Sequence, residues 1–400
     1  MSIIIFIVIL AVLILVHELG HFFVAKSFGI RVDEFGIGYP PRALTLFEWR
    51  RTRFTLNWLP FGGFVKIFGE NGEVPAPEHQ NAELNNSESE SEAKSEHPDA
   101  EPESEKSFAK KPRFAQALVL IAGVAFNIIF AWVLISAGFM VGLPTSTSTV
   151  TAGREVENAR LVITMVAPDS PAFIGGLKSG DVITDIVSIG DLTGKDNLTG
   201  KIRPKTGILS PESVSDFIAK HGNEKINISY SRGSETDIAV LTPSDGIIEG
   251  RKAIGISMDM IGTLSLPIHL AFFEGAKTTV SLTKLVTVGL AVFVYDAVRG
   301  ASDFSQVTGP VGIVGLVGDA SRLGLIYLIS FTAFISINLA VINLIPFPAL
   351  DGGRLLFVII ESIKRSPISP KISNVMNTVG FMLLIILMIL VTVHDVVKLF

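Results

Sequence analysis

There is no cysteine among the 400 residues. That absence excludes a thiol nucleophile, thiolate-bound zinc and any disulfide framework. Histidine is scarce too, with seven in all, so an imidazole metal site has few candidates. No stretch interleaves Lys and Arg with aromatic residues as a nucleic-acid surface would, and no nucleic-acid partner is expected. Acidic excess is confined to one tract. Residues 70–106 hold twelve acids against two lysines, a net of −10, so the overall −5 conceals a remainder of +5. Rich in Glu, Ser, Pro and Asn, the stretch 70–107 cannot bury enough apolar surface to fold and is expected to be a disordered insert.

Apolar residues are plentiful. They make up 48% of the chain, and the mean hydropathy is +0.50, a composition that points to a polytopic protein in a lipid bilayer. Residues 3–25, 114–141, 325–345 (continuing past a break) and 374–393 are each long enough to cross. The first has no basic leader and no small-residue cleavage site, so it reads as a retained span. Lys26, Arg31, Arg42, Arg50, Arg51 and Arg53 follow it; Lys110, Lys111 and Arg113 precede the second; Lys364, Arg365 and Lys371 separate the last two. The positive-inside bias puts those loops in the cytoplasm and both termini outside, together with residues 142 to about 265. In 266–300 the uninterrupted apolar core is only eleven residues, 285–295, preceded by Glu274, Lys277 and Lys284. An interfacial amphipathic helix is expected there.

Residues 158–260 read as an extracytoplasmic α/β module. Strands are expected at 161–166 and 182–188. A helix opens on Ser210 as N-cap with Pro211 at its first position, and a hairpin runs from 225–232 through Gly233 to 238–241. On the cytoplasmic side, Gly62-Gly63-Phe64-Val65-Lys66-Ile67-Phe68 reads as a short hairpin strand after a turn at Pro60.

The chemistry starts at His17-Glu18-Leu19-Gly20-His21, which interrupts the first apolar segment. On a helix this spacing stacks two imidazoles one turn apart, both able to hold Zn²⁺, with a carboxylate between them to handle protons. Ionisable groups at membrane depth are functional by default. A catalytic zinc takes three protein ligands, and no other histidine suits. His79 and His97 lie in the acidic tract, His221 ends the outside helix, His269 is interfacial and His394 closes the last segment. A carboxylate is therefore expected, and Asp351 qualifies: Pro346, Pro348, Gly352 and Gly353 break the helix around it, and it falls in the same cytoplasmic half as His17. Unpartnered, it would cost about 2.5–3.5 kcal/mol. Asn338 and Asn343 share that segment and serve either interhelical hydrogen bonds or substrate contacts. Gly123 and Asn127, four apart, fit close helix packing. A membrane-anchored binding protein with a structural metal and an ion transporter are the competing classes; the first predicts metal without turnover, the second flux.

With those residues assembled, the chain resembles the intramembrane site-2 proteases, in the branch typified by the regulator of sigma-E protease, RseP. The resemblance covers nearly the whole chain. It rests on the motif at 17–21, Gly62-Gly63-Phe64, the segment 123–127, Thr308-Gly309-Pro310-Val311-Gly312, and Asn338, Asn343, Pro346, Pro348 and Leu350-Asp351-Gly352-Gly353. Ser170-Pro171-Ala172, Gly176-Leu177 and Gly180-Asp181 are similar to a PDZ domain. The resemblance implies a bacterial inner-membrane protease of about four transmembrane helices with an inserted PDZ-like domain outside. It implies zinc on His17, His21 and Asp351, with Glu18 as catalytic base. It also implies a re-entrant β-loop at 62–68, with Gly62, Gly63 and Phe64 against substrate, and Asn343 as a substrate contact. The implied substrates are single-span proteins already trimmed outside, such as anti-sigma factors or remnant signal peptides. Two departures stand out: one PDZ-like block where the best-known member has two in tandem, and an acidic insert without counterpart.

Overall fold

The computed structural model describes residues 1–70, 106–148, 156–189, 209–233, 235–248, 251–300 and 308–397. The acidic insert lies outside the described residues except at its two ends. The helices in chain order are α1 (Ser2–Ser27), α2 (Arg113–Val141), α3 (Pro171–Ile174), α4 (Pro211–Lys220), α5 (Ile268–Val298), α6 (Pro310–Leu323), α7 (Leu325–Asn343), α8 (Asp351–Lys364) and α9 (Pro370–Val397). The strands are β1 (Val32–Trp49), β2 (Thr52–Ile67), β3 (Leu143–Ser146), β4 (Glu157–Val166), β5 (Val182–Ile189), β6 (Lys225–Arg232), β7 (Glu235–Leu241), β8 (Ser244–Ile248), β9 (Arg251–Ala253) and β10 (Ile256–Leu264). They fall into two compact units, Met1–Ser136 with Phe272–Phe400, and Ala137–Ala271.

In the first unit, five helices are long and apolar enough to cross a membrane: α1, α2, α5, α7 and α9. The fifth is α5, a single 31-residue helix that fills nearly all of 266–300, where an interfacial helix is expected. Its polar residues do not break it, because Thr279, Thr283 and Thr287 each donate to the carbonyl one turn back.

Contacts fix the directions of the helices. His21 meets Val119 while His17 meets Asn127, so α2 is antiparallel to α1. Asn343 meets His17 at one end, while Gly318 of α6, just before α7, abuts Ser2 at the other, so α7 runs parallel to α1. α5 leaves from the Ser2 end of the bundle, with Gly275 against Ser136 and Trp132 Nε1 donating to the Phe272 carbonyl. The chain between α2 and α7 thus begins and finishes at one end. α9 returns to that same end, where Asp395 accepts from the Gly309 and Gly312 amides at 3.0 and 2.8 Å. A Cβ on Gly309 would stand 2.7 Å from the Asp395 carboxylate, which explains the glycine in the 308–312 motif.

The hairpin is far longer than the short strand expected at 62–68. β1 has 18 residues and β2 has 16, joined through Arg50 and Arg51, both at positive φ as a tight two-residue turn requires. Gly36, Gly38, Pro40 and Pro41 give the stretch the look of a loop in sequence. Both strands bend, so that Glu34 faces Lys66 and Arg53, and Ile37 faces Gly63 and Leu56. Among the described residues, 63–67 is paired along one side only, which leaves an edge. Phe22, Phe35, Ile67, Val119 and Val358 form the buried cluster that seats the hairpin on α1, α2 and α8.

The second unit is a six-stranded sheet in the order β3-β10-β4-β5-β6-β7. Leu161, Ile163, Ile186, Ile226 and Ile228 pack against Val214, Phe217 and Ile218 of α4. That helix opens on a capping box between Ser210 and Ser213, as its Ser-Pro start foretells. Buried Asp181 accepts from Arg232 Nε at 2.7 Å and from the Lys178 amide at 2.8 Å, which accounts for its place after Gly180. Among the described residues β3 pairs with β10 only along 261–264, so nothing described pairs with the opposite edge of 256–259 beside α4.

Candidate metal centre

The helical period puts His17 and His21 on the face of α1 that packs on α2. Contact is close there because Gly20 has no Cβ: one would stand 2.7 Å from the Ala122 carbonyl carbon. Gly123 opposite is equally constrained, since its Cβ would lie 2.8 Å from His17 Nε2. The expected packing role of the 123–127 segment therefore extends to the site itself. His21 Nδ1 donates to the Val119 carbonyl at 2.8 Å, leaving Nε2 as the unprotonated nitrogen that faces the cleft. Fully buried Asn127 stands against the corresponding nitrogen of His17. Its Nδ2 lies 3.3 Å from His17 Nδ1, and its buried Oδ1 has no hydrogen-bond partner among the described residues. With the amide turned over, that oxygen would accept a hydrogen bond from Nδ1–H, which leaves His17 Nε2 unprotonated.

Asp351 arrives from the far end of the sequence as the first residue of α8. The preceding loop packs so tightly that Cβ atoms on Gly352 and Gly353 would strike the backbone of Leu344 and Phe347. Asp351 Oδ2 lies 2.9 Å from His17 Nε2 and 3.3 Å from His21 Nε2, and the two nitrogens are 3.2 Å apart. Tetrahedral zinc at 2.0–2.1 Å from each ligand separates ligand atoms by about 3.3 Å. The triangle fits that ion. Among the described residues, this is the one group of three acidic or imidazole side chains close enough to hold a metal.

A cavity of about 250 Å³ opens on the triangle, lined by His17, Glu18, Tyr39, Gly62, Gly63, Asn343 and Asp351 among others. Among the described residues no hydrogen bond holds the Glu18 carboxylate, and a Cβ on Gly63 would lie 3.4 Å from its Cγ. Asn343 Nδ2 is 3.4 Å from His17 Nε2, at the cavity wall. Two expected residues sit elsewhere. Asn338 donates to the Phe334 carbonyl of its own helix at 2.8 Å and does not line the cavity. Phe64 turns its ring onto Gly36 and leaves only its backbone for the strand edge. Tyr39 was not anticipated, because nothing in sequence ties residue 39 to residue 18. Burial pushes its phenol above the usual range, and the Glu18 charge adds to this, so it stays a neutral donor.

Other proteins are similar to this chain over nearly their full length. A model of Peptidase family M50 matches residues 5–387. A protein of Clostridium acetobutylicum named as a zinc metalloprotease is 31% identical over 398 residues, covering 99% of this chain and 97% of the relative. One from Staphylococcus aureus with the same kind of name is 30% identical, covering 100% and 99%. The regulator of sigma-W protease RasP of Bacillus subtilis is 30% identical, again covering 100% and 99%. The apolar helices make this a multi-pass membrane protein with an inserted β-rich unit. Matched almost end to end, the chain belongs to peptidase family M50 and is a zinc metalloprotease.

Proposed function

We propose that the protein is an intramembrane endopeptidase of the bacterial cytoplasmic membrane. It cuts peptide bonds within the membrane segments of single-span proteins already trimmed outside, anti-sigma factors and remnant signal peptides among them. The observation that carries this reading is the convergence of His17, His21 and Asp351 beside an untethered Glu18, on helices apolar enough to cross a bilayer. In this reading α1, α2, α7 and α9 carry the net crossings, and the cleft lies toward the cytoplasm.

His17, His21 and Asp351 hold the zinc, which when bound supplies Lewis acidity to the scissile carbonyl and lowers the pKa of the attacking water. Glu18 takes that water's proton and passes it to the leaving amine. Asn343 and Tyr39 offer N–H and O–H groups to the carbonyl oxygen as charge builds on it. A helical substrate hides its carbonyls in internal hydrogen bonds, so it must unwind before any of this. The open edge at 63–67 supports a role in holding the unwound segment by strand addition, with Gly62 and Gly63 letting it close on Glu18.

The second unit is read as a PDZ-like module facing outward. Support comes from a groove of about 270 Å³ between α4 (Ser215, Ile218) and the open edge of β10 (Ile256, Ser257, Met258), suited to an extended peptide end.

The test is cleavage of a single-span substrate in proteoliposomes. Wild type cuts within the apolar segment, a zinc chelator abolishes the cut, and Glu18→Gln keeps its zinc while losing about 10²–10⁴-fold in rate. Undiminished cutting by Glu18→Gln, or by chelated enzyme, contradicts the reading.

A further inference from the structure

We infer that Arg354 is a positioning residue: its ion pair with Glu70 latches the base of the hairpin to the helix that carries Asp351. Arg354 Nη1 bonds Glu70 Oε1. Arg354 stands three residues after Asp351 on α8, hence on nearly the same helical face. Glu70 stands three residues after the end of β2, in a turn closed by its own amide onto the Ile67 carbonyl at 3.3 Å. One contact therefore joins the strand edge on one wall of the cleft to a metal ligand on the other.

Two features make this contact more than a surface pair. Glu70 retains only 16% of its side-chain exposure, so removing its partner would strand a largely desolvated carboxylate. The ion pair also borders a cavity of about 510 Å³, shared with a second pair, Arg113 to Glu361 at 2.5 Å, near the other end of α8. Leu355 and Val358 do touch the cluster containing Ile67 and Phe108, but apolar contact has no direction and tolerates sliding. A charge-assisted hydrogen bond has a direction and sets register.

The inference rests on the proposed reading in one respect: it takes 63–67 as the strand that holds substrate. On that reading Arg354 determines which bond lies at the metal, and a shift of about 1 Å would cost about 100-fold in rate.

The experiment uses the zinc-loaded full chain in nanodiscs, as wild type, Arg354→Gln, Glu70→Gln, the double variant and Arg354→Lys. Hydrogen exchange at 63–67 is followed alongside KM, kcat and the cut position on a single-span substrate. Each single Gln variant should exchange faster at 63–67, spread the cut over neighbouring bonds and lose about 10- to 100-fold in kcat/KM with zinc content unchanged. The double variant should be no worse than either single, and Arg354→Lys should recover part of the loss. Wild-type exchange at 63–67 in Arg354→Gln overturns the latch. So does multiplication of the single losses in the double, or loss of zinc from the singles, since Arg354 would then act on Asp351 directly. Exchange is read whether or not the wild type cleaves, so a failure of the proposed function and a failure of the latch are distinguishable.

Discussion

Asn127 is the side chain that meets His17 Nδ1, the nitrogen turned away from Asp351 and His21. An imidazole that ligates through Nε2 carries its proton on Nδ1, and that proton needs an acceptor in a buried place. Asn127, fully buried with its amide 3.3 Å away, supplies one once that amide is turned over to present Oδ1. Replacing it by Leu keeps the volume and removes the acceptor. Zinc affinity should fall about 10- to 100-fold, measured by competition with a chelator, while thermal stability changes little. An unchanged affinity would show that His17 is oriented by something else. The sequence made the two histidines and Glu18 legible because four-residue spacing on a helix is a local signal. Asp351 was legible through the prolines and glycines that break its helix. Asn127, Tyr39 and Arg354 were not, because their roles depend on a contact 110 residues from His17, on a bend within the hairpin, and on a turn 284 residues upstream.

Among the elements, the hairpin departed most from expectation. Glycine and proline in 36–41 interrupt the alternation that marks a strand, yet bent strands pair on both sides and tolerate the interruptions. In α5 the helix expected over 266–300 runs through the charges at 274, 277 and 284, with Thr279 and Thr283 bonded to their own backbone. The second unit was the most legible, since Ser210-Pro211 and the alternation at 225–232 are local codes for a cap and a strand. Its role is testable as an element. A chain lacking 158–260 should cut trimmed and untrimmed substrates at similar rates, whereas the full chain should prefer trimmed ones. If the preference survives the deletion, the module does not gate.

Across the whole molecule, the absence of cysteine makes orientation measurable. In intact cells a membrane-impermeant maleimide should label Glu235→Cys in the second unit, and should reach Lys364→Cys, at the end of α8, only after permeabilisation. The reverse pattern would invert the proposed topology. What the fold accomplishes at this scale is to bring residues 334 apart in sequence, His17 and Asp351, to 2.9 Å. The account depends on those two ends sharing one ion. The most direct measurement is zinc affinity of the full chain as wild type and as Asp351→Asn, by chelator competition. Loss of a directly bound carboxylate should weaken binding by at least about 100-fold, beyond the 10- to 100-fold typical of a supporting residue. Equal affinities would mean that Asp351 does not hold the metal.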